Sequence, residues 1–134
     1  MVTTSVEWKQ GMQFEGRPEG GHAFPIDADA EHTHGPGPLQ LVLTALCACT
    51  SVDVVSILRK KREPIEGLTV SATAEQAATP PRVFTHIHLT YRIRGKVSQK
   101  AAEDAVSLSK NKYCSVSKML EKAAKIDYSI EYAS

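Results

Sequence analysis

Apolar and polar residues alternate in three short runs over residues 3–27, TSVEWKQ, MQFEG and HAFPID, separated by Gly11 and by the turn chemistry of RPEGG at 17–21. These runs predict three short strands. The polar, Gly- and Pro-rich segment ADAEHTHGPGP that follows reads as a surface loop. Pro38 suits the first turn of a helix, where its missing N–H costs nothing. From there the chain is apolar almost all round to Leu58, turns basic in RKKR, and cannot continue helically past Pro64. This predicts a long, buried central helix whose basic end complements the negative pole of its dipole.

Period-two patterning then returns. Leu68, Val70, Ala72 and Ala74 share one face of a strand, and Thr69, Ser71, Thr73 and Glu75 the other. In VFTHIHLTYRIRG the apolar face carries Val83, Thr85, Ile87, Leu89, Tyr91 and Ile93, and the polar face Phe84, His86, His88, Thr90, Arg92 and Arg94. A hairpin through ATPPR joins the two. Ser98 is placed to cap a helix bearing Ala101, Ala102, Ala105, Val106 and Leu108, a pattern that loosens around KNKY. A second helix is expected over Ser115–Lys125, and KIDYSIEY closes the chain as a strand with Ile126, Tyr128, Ile130 and Tyr132 on one side. The order fits a single α+β domain over residues 1–134, an antiparallel sheet with helices on one face. A helix apolar all round wants more cover than one sheet supplies, which predicts a tight homodimer.

Composition adds exclusions. At 134 residues and 42% hydrophobic, the chain is long enough to bury one core. Sixteen Lys plus Arg balance fifteen Asp plus Glu to a net charge of +1, so no global field favours nucleic acid or an anionic membrane. The most apolar stretch, Leu41–Cys49, already contains Thr44 and falls short of the roughly 20 residues of a membrane span, so a soluble chain is expected. MVTTSVEWKQG lacks the basic-then-apolar order of a secretory signal, which points to the cytoplasm. Three cysteines in a reducing compartment read as thiols.

Cys47 and Cys49 lie about 200° apart around a helix and cannot form a local pair. Their spacing is neither the redox C-x-x-C nor a zinc knuckle. Cys114, in KYCSVSKML, sits where a helix begins; backbone N–H groups and Lys112 there predict a thiol that ionises more easily than one in a core. His32 and His34 fall in the loop and His86 and His88 on one strand face, where outward polar alternation explains them without a metal. No cofactor is expected. Paired carboxylates, a nucleophile elbow and a phosphate-cradling loop are absent; the prolines of GPGP lack the N–H groups of an anion nest.

Two segments, GPGPLQLVLTALCACTSVDVVSIL and KYCSVSKML, together with the element order, make the chain resemble the OsmC/Ohr family (osmotically inducible protein C and organic hydroperoxide resistance), and more closely its small YhfA-like branch than the hydroperoxide reductases. The resemblance implies an intertwined homodimer with two sites at the subunit interface. It also implies a reactive thiol eleven residues after the helix-opening proline, which from Pro38 is Cys49, and a second thiol at Cys114. Cys49 would be oxidised by a small hydroperoxide to a sulfenic acid, Cys114 would condense with it to a disulfide, and an external dithiol would reduce the product. Peroxidase members carry, directly after the proline, a Glu that bonds a thiolate-stabilising Arg. Here Leu39 and then Gln40 occupy that substrate-binding position, and Arg17 in FEGRPEGG is the matching cation. A second reading keeps the fold without the reaction: a dimeric module binding a small apolar ligand or partner in the interface groove, its cysteines serving as packing.

Overall fold

The three N-terminal runs pair as an antiparallel sheet in the order β1 (Thr4–Gln10), β2 (Gln13–Pro18), β3 (Phe24–Asp27). The turn between β1 and β2 uses Gly11 at φ 51°, a left-handed conformation that glycine adopts without a Cβ clash. The computed structural model describes residues 1–133 and divides the chain into two compact units, Met1–Leu43 and the remainder from Thr44. In the first unit, buried Asp27 organises the loop after β3. Its carboxylate accepts the N–H groups of Asp29 (2.9 Å) and His34 (3.1 Å), while its carbonyl meets His32 Nδ1 at 2.7 Å.

Helix α1 runs Pro38–Lys60 and begins on the predicted proline. Within the chain it is buried only along the stripe Leu46, Thr50, Val54 and Leu58, one residue per turn. The expectation of an all-round buried helix is therefore corrected: Val52 is 68% exposed and Leu39 45%. The membrane argument from Leu41–Cys49 is corrected as well. At 23 residues α1 is long and apolar enough to cross a bilayer, because Thr50, Ser51 and Asp53 interrupt the apolar run without ending the helix. Its buried stripe, lying in the chain's own core, is that of a core helix.

In the second unit β4 (Ile65–Gln76) and β5 (Phe84–Gly95) form the expected hairpin, with Val70 opposite Tyr91. The chain then crosses through α2 (Gln99–Leu108), a π-helical turn (Ser109–Tyr113) and α3 (Ser115–Leu120), and returns as β6 (Lys125–Ala133). Ser98 caps α2 by accepting the Ala101 N–H at 3.2 Å. Strand β6 runs parallel to β5, with Leu89 opposite Tyr128, so the expected purely antiparallel sheet becomes two three-stranded sheets, the second of them mixed. Alternation reports which face a residue takes and is blind to strand direction; the helical crossover makes a parallel return possible. Helix α3 stops at Leu120, short of Lys125, because Lys125 already pairs with His86. The core of this unit comprises Ile87, Leu89, Tyr91 and Ile93 from β5, Leu46, Val54 and Leu58 from α1, and Ala102, Ala105 and Val106 from α2. Tyr91 also meets Tyr128 edge to face, ring centroids 5.9 Å apart.

Candidate functional site: a thiol pair and a buried hydroxyl chain

Cys49 is half-buried on α1, and Cys114 is fully buried, 0% exposed, at the junction of the π turn and α3. Two backbone bonds fix Cys114. Its N–H donates to the Ser109 carbonyl at 2.8 Å, and its sulfur caps α3 by accepting the Ser117 N–H at 3.3 Å. Cys114 lies near enough to Cys49 for the two thiols to interact, so residues 65 positions apart in sequence come together. The Cys114 thiol is pushed up to about 12, chiefly by burial, with Cys49 and the nearby charge of Asp53 adding to the rise against the lowering effect of the Ser117 N–H. The expectation that Cys114 ionises easily is therefore corrected. A six-residue helix offers too little dipole to offset complete desolvation.

Cys47 lies about 200° around α1 from Cys49. Its carbonyl accepts the Ser51 hydroxyl at 2.6 Å, and burial raises its thiol. At the start of α1, Gln40 Oε1 accepts the Gly37 N–H at 2.9 Å, half of a capping box. Leu39 beside it is exposed. Arg17 lies on β2, where its guanidinium bonds Glu15 (2.8 Å) and Glu7 (3.2 Å) of its own sheet.

Four residues that the sequence reading passed over form a chain beside the thiols. Tyr91 Oη meets Thr50 Oγ1 at 2.7 Å, Thr50 Oγ1 meets Ser109 Oγ at 2.8 Å, and Ser109 Oγ donates to Asp53 Oδ2 at 2.8 Å. Two signals could have found them: Asp53 is the one charged residue between Pro38 and Leu58, and Thr50 is the one polar member of the buried stripe.

The strand histidines are held by a shared carboxylate on the opposite face of the second sheet. His86 Nε2 lies 2.8 Å from Asp127 Oδ2, His88 Nδ1 lies 2.6 Å from Asp127 Oδ1, and His88 Nε2 meets Ser129 at 3.0 Å. Among the described residues no group of three or more His, Cys, Asp or Glu is arranged to hold a metal ion. His88 and His86 hold Asp127 below the usual carboxylate range, and the Asp29 and His34 N–H groups do the same for Asp27. A carboxyl lowered by folding stabilises the fold above its ordinary value of 3.8, and that stability is lost as pH falls through the lowered folded value. Asp127→Asn is thus expected to flatten the acid limb of a melting-temperature profile below about pH 4. An unaltered acid limb would refute that linkage.

An α+β chain that brings a thiol on its central helix against a thiol at a helix start defines a class of two-cysteine proteins. A family model described as OsmC-like protein matches residues 29–129, and the chain belongs to this family. It is 40% identical to Protein YhfA of Escherichia coli strain K12 over 127 residues, 94% of each chain. An OsmC-like protein from Mycoplasma pneumoniae superposes with a TM-score of 0.87 at 19% identity, covering 100% of this chain and 98% of that one. An organic hydroperoxide resistance protein OsmC from Legionella pneumophila gives 0.74 at 17% identity, covering 98% and 96%.

Proposed function

We propose that the protein is a thiol-dependent peroxidase for small organic hydroperoxides, acting in the cytoplasm as a homodimer. The carrying observation is the proximity of the half-buried Cys49 to the buried Cys114. Of these two, Cys49 is the one a peroxide can approach. Its thiolate attacks the distal peroxide oxygen, the O–O bond breaks, and the alcohol leaves with a proton, giving a Cys49 sulfenic acid. Cys114, kept protonated by burial, is protected from the oxidant and poised to resolve that acid. An external dithiol then reduces the disulfide.

The test is peptide mapping after one equivalent of tert-butyl hydroperoxide is added to reduced protein. A Cys49–Cys114 disulfide in the majority of chains is expected; both thiols surviving unmodified would sink the reading. Arg17 takes the thiolate-supporting role through the family resemblance, and Arg17→Ala is expected to slow Cys49 oxidation about tenfold. An unchanged rate would leave Arg17 to its ion pairs with Glu7 and Glu15.

One observation favours the non-enzymatic alternative. Leu39, exposed at the start of α1, offers no carboxylate, and an open groove of about 740 Å³ beside Val52, Val55 and Arg59 could take an apolar ligand or partner. Peptide mapping separates the two readings.

A further inference from the structure

The hydroxyl chain has a fixed direction. Asp53 carries no proton when ionised, so Ser109 must donate to it. Ser109 has then spent its one proton and can only accept from Thr50, and Thr50 in turn can only accept from Tyr91. All four groups are satisfied in one arrangement, and Thr50 and Ser109 are buried with almost no exposure. Breaking such a chain leaves a buried polar group unpaired, so it holds its three elements in one relative position.

Two of those elements, α1 and the π turn, carry Cys49 and lead into Cys114. Cys49 and Asp53 are one helical turn apart on α1 and face the same segment: Asp53 holds Ser109, and Cys49 lies near Cys114. Ser109 and Cys114 are themselves tied by the Cys114 N–H on the Ser109 carbonyl. Thr50, the next residue after Cys49, supplies the second tie to Ser109. The π turn runs from Ser109 to Cys114, so what holds Ser109 also bears on the position of Cys114.

Building on the thiol chemistry above, we propose that Tyr91, Thr50, Ser109 and Asp53 are positioning residues that hold Cys114 at the Cys49 sulfur and so set the rate of disulfide closure. In that step the S–O bond of the Cys49 sulfenic acid breaks and an S–S bond forms. Cys114 is oxidised, Cys49 is reduced, and the Cys114 proton leaves with the hydroxyl as water. Peroxide attack on Cys49 precedes this step and does not need Cys114 in place.

The experiment follows the two steps separately in the full-length protein, using tert-butyl hydroperoxide as oxidant. Cys49 oxidation is read by dimedone trapping in a Cys114→Ser background, and closure by quenched alkylation and mass spectrometry with both thiols present. Thr50→Val and Ser109→Ala are expected to slow closure at least tenfold while trapping stays within twofold of wild type, and Thr50→Ser to restore closure. Asp53→Asn, at the half-exposed end of the chain, keeps an acceptor but loses the charge. It should slow closure about threefold and carries the test if the buried variants do not fold. Closure at the wild-type rate in the folded variants would overturn the inference and leave the thiol pairing intact. An equal fall in both steps without rescue by Thr50→Ser would overturn it too, reducing the chain to a stability element. If wild-type protein neither traps dimedone nor closes, the peroxidase reading itself fails, and this inference with it.

Discussion

Replacing Cys49 with Ser is expected to lower peroxide consumption, assayed with dithiothreitol as reductant, by more than about 10³-fold. A serine hydroxyl is almost wholly protonated at neutral pH, and no other thiol is placed to substitute: Cys114 is 0% exposed and held protonated, and Cys47 points to the far side of α1. Two companion variants make the result specific. Cys114→Ser should allow a single oxidation of Cys49 and then stall, with sulfenic acid accumulating and advancing to the sulfinic form under excess peroxide. Cys47→Ser should keep activity within about twofold. Full activity in Cys49→Ser would transfer the chemistry elsewhere; full activity in Cys114→Ser would assign resolution to the external dithiol.

The second large effect is expected at Val52. Ala45, Ala48, Val52, Val55 and Arg59 repeat at the three-and-four spacing of a helix–helix seam, and the first three are exposed within the chain. Small residues at 45 and 48 would let a second copy of α1 approach closely. In the homodimer we propose, this seam is covered. Val52→Asp would place two unpaired carboxylates in an apolar contact, a cost of several kcal/mol per dimer. Analytical ultracentrifugation should show the dimer dissociation constant rising at least about 100-fold, roughly 3 kcal/mol. If wild-type protein sediments as a monomer, or Val52→Asp as a dimer of unchanged affinity, the seam is not the interface.

Much of the fold could be read directly. Strict alternation from Ile87 to Ile93 assigned the buried face of β5 correctly, because period two leaves no ambiguity once one face is apolar. Pro38 marked the start of α1, and Ser98 the cap of α2. Directions and environments were less legible. Whether β6 runs parallel or antiparallel to β5 depends on where α3 delivers the chain, which no local pattern encodes. Cys114 shows the second kind of limit: its neighbours in sequence predicted an easily ionised thiol, whereas its neighbours in space bury it completely. The hydroxyl chain shows the third. Thr50 lies 41 residues from Tyr91 and 59 from Ser109, each is individually ordinary, and only packing makes them one network.

The π turn before Cys114 sets a constraint of phase. Relative to a regular α-helix it accommodates one extra residue between α2 and Cys114, and in a helix one residue is worth about 100° of rotation. Lys110, Asn111 and Lys112 are at most half-buried, so their identities are loosely bound. Their number is not: with one residue fewer, the turn would close as an ordinary helix and swing the sulfur to another side of the axis. The length of the segment from Ser109 to Cys114 is therefore constrained although the residues inside it are not.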